Sequence, residues 1–307
     1  MNETAELAKS IPVKLLLSIL PGLVFIYFNG VMLYALMSKH YFRESPRYML
    51  FAHLLYTDSL QLVASLTLYL FAAAKVRVIF SVCTAVTLLA IACVKISPLN
   101  LAVMSLERYV AIRFPLRHAN IATTKRTMVA ITVVWTVISF DSLTQCLLFV
   151  SHEKEVLPLS PVTCHKNSIF RLQTRSIVNV TFISIYFVMV GFIIIFTYVA
   201  VLITVKIASS EVENAHKAHR TLLLHFFQLC LCLLSLLFNM VEPESHWSVD
   251  TTASSHVQYI LFLSLIIFPK FLSPFLYGLR DNTLRQVFKF YLTFGLMSHN
   301  PRLECIF

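Results

Sequence analysis

Met104-Ser105-Leu106-Glu107-Arg108-Tyr109-Val110-Ala111-Ile112-Arg113-Phe114-Pro115-Leu116-Arg117-His118 lies where a long apolar run meets a basic segment. The run before it, Val78 to Met104, is interrupted by a single charge, Lys95. A helix rises about 1.5 Å per residue, so about 20 apolar residues cross the hydrocarbon of a bilayer. The run is long enough to span, and the quoted stretch marks its aqueous end.

Working outward, six more such runs appear. They are Leu15 to Met37, Tyr48 to Ala74 with Asp58, Thr127 to Val150 with Asp141, Ile177 to Val205, Thr221 to Val241, and Thr251 to Leu279 with Lys270. Composition agrees: of 307 residues, 58% are hydrophobic and 13% charged, against roughly 25% charged in a soluble globular chain. Mean hydropathy is +0.76. These values exclude a disordered chain, a secreted disulfide scaffold and an ordinary cytosolic enzyme. The expected fold is an all-α membrane protein, a seven-transmembrane helix bundle over 15–279. Its helices are expected at about 15–38, 47–74, 78–112, 124–150, 177–208, 214–241 and 251–279.

Seven crossings put the termini on opposite sides. With the N-terminus outside, fifteen Lys and Arg fall in inner segments and eight in outer ones. Basic residues concentrate on the cytoplasmic side of membrane proteins. The expected topology is therefore a multi-pass protein of the plasma membrane, with residues 1–14 extracellular and 280–307 cytoplasmic. The net charge of +10 reads as orientation of the chain rather than nucleic-acid binding, because the bases lie between apolar runs. Met1 to Ser10 is polar and partly acidic, which does not suit a signal peptide. Asn2-Glu3-Thr4 is a glycosylation sequon and would face outward, marking Asn2. Asn179-Val180-Thr181 is a second sequon, too close to the bilayer for modification. Most of the seven Cys lie inside apolar runs and read as small apolar side chains. Beyond Leu279, Leu284, Val287, Phe288 and Tyr291 recur at helical spacing, with Arg285 and Lys289 on another face. This predicts a short amphipathic helix on the inner membrane surface, in contact with lipid.

Three stretches in order carry a family resemblance: Ser45-Pro46-Arg47-Tyr48-Met49, the quoted Glu107-Arg108-Tyr109 segment with Pro115-Leu116, and Ser273-Pro274-Phe275-Leu276-Tyr277-Gly278-Leu279-Arg280. Together they resemble a rhodopsin-like G-protein-coupled receptor, and within that family a divergent branch of the odorant-receptor type. The resemblance covers the whole transmembrane region. Asn29, Asp58, Trp135 and Tyr198 match the family residues of helices one, two, four and five. It implies a disulfide between Cys83 and Cys164. It also implies coupling and activation through Glu107, Arg108, Tyr109, Tyr198, Pro274 and Tyr277. Two departures stand out: Ser273 replaces the usual Asn before Pro274, and the sixth run has neither the common Trp nor a Pro. Pro98 removes a backbone donor from helix three, which invites a bend.

Arg108 also has a role by physics alone. A buried Arg needs a partner, and Glu107 supplies one at rest. Movement of helix six would free the Arg for a partner protein. The competing reading is an interfacial anchor that snorkels.

Asp58, Lys95, Asp141 and Lys270 are costly in a membrane, so they should face the bundle and pair. At 1.5 Å per residue, Asp58 and Lys270 lie about 17 and about 15 Å from the inner edge, Lys95 and Asp141 about 20 and about 22 Å. The depths favour Asp58–Lys270 and Lys95–Asp141. In many members of the resembled family the helix-two Asp holds a sodium ion; here Lys270 can supply that cation. Lys95 could instead meet an anionic ligand, but an ion pair with Asp141 is favoured on cost. Light-sensing opsins attach retinal to a helix-seven Lys, but the matching position here is Ile267. His53, His225 and His256 lack metal-like spacing and read as structural contacts; no metal or cofactor is expected.

The resemblance places a ligand between helices three, five, six and seven in the outer half. Ala90, Ile91, Val94 and Lys95, Phe182 and Tyr186, and Tyr259 and Leu263 would line it, suiting a small, largely hydrophobic, odorant-like molecule. Ala90 stands where an amine receptor needs Asp. No nucleophile–base pair or phosphate loop stands out, so the chain reads as a receptor rather than an enzyme. Stimulation of adenylyl cyclase through a heterotrimeric G protein follows from the resemblance. A seven-helix transporter or channel is the alternative, weakened by the uncharged fifth run and the lack of internal repeats.

Overall fold

A computed structural model describes residues 2–74, 76–152, 161–164, 173–207, 226–227, 230–234, 237, 264, 268, 270 and 282–292. Five long helices dominate: α1 (Asn2–Ser38), α2 (Pro46–Ala73), α3 (Phe80–Arg113), α4 (Thr124–His152) and α5 (Gln173–Ile207). Each contains a stretch long and apolar enough to cross a membrane. Lipid offers the backbone no hydrogen-bond partner, so apolar runs of this length satisfy their own N–H and C=O groups as helices. The expected sixth and seventh helices lie almost wholly outside the described residues.

Two boundaries differ from expectation. Helix α1 begins at Asn2, although its membrane-length apolar segment is Ile19–Ser38. Regular backbone thus extends through a polar stretch that hydropathy alone assigns to a tail. The third helix starts at Phe80 rather than 78, because Arg77–Ile79 forms a strand, β1, antiparallel to β2 (Pro161–Thr163). Beside that pairing, Cys83 and Cys164 form a disulfide with their Cα atoms 5.6 Å apart. Leu68, Phe71 and Val78 pack over it.

Local sequence sets the helix ends. Pro46 opens α2 at its first turn, where its missing N–H costs nothing. At the inner end of α3, Phe114 leaves the helical region (φ −131°, ψ 59°) before a 3-10 turn, Pro115–Arg117. A residue before proline disfavours the α conformation. Inside α3, Pro98 does not interrupt the helix.

The core runs through all five helices. Met32 and Leu36 of α1, Leu50, Phe51 and Leu54 of α2, Ile96 and Leu101 of α3, Ile138 of α4, and Val190 and Ile194 of α5 are buried together. Close approach of α1 and α2 uses Gly22, where a Cβ would lie 2.7 Å from Leu66 Cδ1. The face of α5 carrying Val188, Phe192, Ile195 and Val199 is exposed instead. The C-terminal helix, Asn282–Leu292, turns its buried Leu284 and Val287 into the same core. Its Phe288 and Tyr291 rings meet Phe28 and Tyr34 of α1, and the Tyr291 hydroxyl donates to Ser38 Oγ at 3.1 Å.

A polar chain crosses this core between three helices. Trp135 Nε1 of α4 donates to His53 Nε2 of α2 at 2.8 Å. That leaves the His53 proton on Nδ1, which donates to Asn100 Oδ1 of α3 at 3.1 Å. Asn100 Nδ2 then donates to the Leu50 carbonyl at 2.9 Å. The Trp135 bond requires neutral His53, because a protonated ring could not accept from it.

Candidate functional site

The site is built on α3, whose residues reach three levels of the bundle. At the outer level, Lys95 Nζ donates to Asp141 Oδ2 of α4 at 2.6 Å and to Asn179 Oδ1 of α5 at 2.9 Å. Lys95, Asp141 and Asn179 are 2%, 1% and 6% exposed. The sequon residue Asn179 therefore faces the bundle. Sequence reading missed this third partner, because a neutral amide leaves no charge for depth arithmetic to match. Around the pair, Ala90 and Tyr186 are buried, and Ile91, Val94 and Phe182 are half-buried. The Phe182 and Tyr186 rings stack at 6.2 Å. Tyr259 and Leu263 lie outside the described residues.

Two residues along α3, Ser97 marks the middle level. Its hydroxyl donates to Asp58 Oδ1 of α2 at 2.7 Å and accepts from Lys270 Nζ at 2.7 Å. Lys270 also forms an ion pair with Asp58. The ammonium thus closes a three-way contact with a buried carboxylate and a buried hydroxyl. Ser97 was the residue missed here; a serine two positions from Lys95 gave no signal of its own. Asn29, fully buried on α1, has neither amide atom hydrogen-bonded among the described residues.

At the inner level, Arg108 Nε lies 3.3 Å from Glu107 Oε2. The other Glu107 oxygen, Oε1, is 3.1 Å from His118 Nε2. His118 comes from the short helix that follows the Pro115–Arg117 turn, so Glu107 ties α3 to the loop beyond it. Tyr109 packs edge-on against Phe196 of α5 at 5.6 Å, and Tyr198 lies 5.0 Å from the Phe226 ring. Leu116 is 97% exposed on the turn. Pro274 and Tyr277 lie outside the described residues.

Residues 28–277 match the family described as 7 transmembrane receptor (rhodopsin family). The chain is a rhodopsin-family seven-transmembrane receptor. Its relatives refine this placement. The receptor is 33% identical to Odorant receptor 131-2 of Danio rerio, across 94% of its own length and 87% of that protein's. It is 26% identical to the human Olfactory receptor 8J2, over 63% of this chain and 61% of that one. It is 30% identical to the human Olfactory receptor 52A1, over 60% of each chain. The receptor is of the odorant-receptor type, and the family is one of receptors rather than enzymes.

Proposed function

We propose that this receptor binds a small, largely hydrophobic, odorant-like molecule in the outer half of the bundle and activates a heterotrimeric G protein at its inner face, raising cyclic AMP. The observation that carries the reading is similarity to an odorant receptor over 94% of the chain, joined to the arrangement at the inner end of α3. There Arg108 is held beside a carboxylate that the His118 imidazole also engages. A ligand that favours one arrangement of the helices shifts a two-state bundle by its differential affinity. Release of Arg108 from Glu107 then exposes a charge-assisted donor to the partner. Tyr109, Tyr198, Pro274 and Tyr277 complete the coupling region. Leu116, an apolar side chain standing in water, fits as the knob that a partner covers.

The protein resides in the plasma membrane, with Asn2 outside and available for glycosylation and the C-terminal helix inside against lipid. The basic excess of the inner segments supports that orientation. A retinal-binding reading is disfavoured by the engagement of Lys270 with Asp58 and Ser97. A transporter or channel needs a continuous polar path, which the uncharged run Ile177 to Val205 within α5 does not favour.

The test is nucleotide exchange on a purified stimulatory G protein by the full chain in lipid nanodiscs. Wild type is expected to accelerate exchange, Arg108→Ala to lose the effect, and Leu116→Ala to weaken it with no change in unfolding temperature. Substrate flux in proteoliposomes, with no exchange on the G protein, would instead support the transporter.

A further inference from the structure

Three buried side chains of α4 and α5 carry polar atoms with no hydrogen-bond partner among the described residues. They are Oδ1 of Asp141, both amide atoms of Gln145, and the hydroxyl of Tyr186. The three residues are 1%, 2% and 3% exposed. Asp141 and Gln145 are four residues apart on α4 and so share one face. Tyr186 lies on α5. It sits two turns from Asn179, which reaches the same Lys95. One unmet atom thus belongs to the ion pair itself, Gln145 follows one turn along α4, and Tyr186 is carried by the helix that supplies Asn179.

We infer that this cluster is a head-group subsite for a neutral small molecule bearing a hydroxyl or primary amide. The inference rests on the receptor reading given above and names the chemistry of its ligand. Charge selects the class. The Lys95 ammonium is already matched by Asp141 and bonded to Asn179. A carboxylate ligand would bring a second anion beside Asp141, and an ammonium ligand a second cation beside Lys95, each buried without compensation. A neutral head avoids both costs. Its O–H or N–H donates to Asp141 Oδ1, and its oxygen accepts from Gln145 Nε2 or the Tyr186 hydroxyl. A site built to hydrogen-bond a head group also rejects the analogue lacking it, because its own buried groups then stay unmet. Phe182, stacked on Tyr186, offers an apolar wall for the tail.

The test measures binding to the full receptor in nanodiscs by thermal unfolding. The probes are unbranched alkanols, alkanamides, alkanoates and alkanes from butyl to decyl. Alkanols and alkanamides are expected to raise the unfolding temperature, and alkanes and alkanoates of equal length are not. Gln145→Leu and Tyr186→Phe should each weaken the best alkanol by about tenfold, the loss of one hydrogen bond. Gln145→Leu should also raise the unfolding temperature of the ligand-free protein, since it removes unmet buried atoms.

Three results would overturn the inference. The largest shift from alkanoates would make Lys95 the anchor. Equal shifts from all four probe classes would mean an apolar pocket alone. No shift from any probe, with ligand-free Gln145→Leu less stable than wild type, would assign the atoms to ordered water. The readout needs no G protein. Binding of alkanols without nucleotide exchange would refute the signalling reading and leave this one intact.

Discussion

The two buried Lys–Asp pairs are alike in composition and unlike in completeness. Lys270, Asp58 and Ser97 satisfy one another at the middle level; their own side-chain atoms are met, and the unmet atoms on α1 and α2 belong to Asn29 and Gln61 rather than to the pair. Lys95, Asp141 and Asn179 also form a three-way contact, yet Asp141 Oδ1, Gln145 and the Tyr186 hydroxyl beside it remain unmet. A closed network fixes helices; an open one has capacity for something else. The same ion-pair chemistry thus serves two purposes on two different sides of α3, since residues two apart do not share a helix face. The middle pair ties helices together, and the outer pair is the one we propose for recognition.

The largest expected effect comes from breaking the closed pair. Lys270→Met leaves Asp58 buried and uncompensated, and should cost about 3–5 kcal/mol. The double variant Asp58→Asn/Lys270→Met should recover most of that loss. Thermal unfolding of purified receptor reads both; a single variant as stable as wild type would remove the contrast between the pairs. Next in size is the outer covalent tie. Cys83→Ser/Cys164→Ser should cost about 2–5 kcal/mol. It should disturb probe binding in the outer half more than G-protein exchange by ligand-free receptor; equal losses would mean that the two levels are not separable.

Smaller again is Trp135→Phe, which removes the donor to His53. About 1 kcal/mol is expected, seen as a lower unfolding temperature. The smallest effect sharpens the meaning of the closed pair. If the Lys270 ammonium occupies the cation position beside Asp58, replacing potassium by sodium should leave the wild-type unfolding temperature unchanged. Lys270→Met should acquire a sodium response, and the double variant Asp58→Asn/Lys270→Met should lack it.

Much of this comparison is legible in the sequence because a spanning helix converts residue number into depth. Asp58 and Lys270, and Lys95 and Asp141, group by height from charge positions alone, and the contacts give the same two pairs. Height says nothing of rotation about a helix axis. Asn179, Ser97 and Gln145 are neutral, so their places in or beside the networks depend on that rotation and stayed hidden. The same limit applies to His53. Its structural character is readable from the absence of metal spacing, but its bonds to Trp135 and Asn100 are not. The strand Arg77–Ile79 was hidden for another reason: three residues adjoining an apolar run look like the start of the helix. Helix α1 extends to Asn2 past the point where hydropathy stops being informative.

One experiment addresses the division of labour directly. Neutral double variants of each pair, Asp58→Asn/Lys270→Met and Lys95→Met/Asp141→Asn, are compared at equal surface level. Cyclic AMP is measured with matched alkanol and alkane probes. Replacing the outer pair is expected to erase the difference between alkanol and alkane. Replacing the middle pair is expected to keep that difference and to change the amplitude of the signal. Loss of alkanol preference in the middle variant, with preference retained in the outer one, would contradict the assignment of recognition to the outer pair.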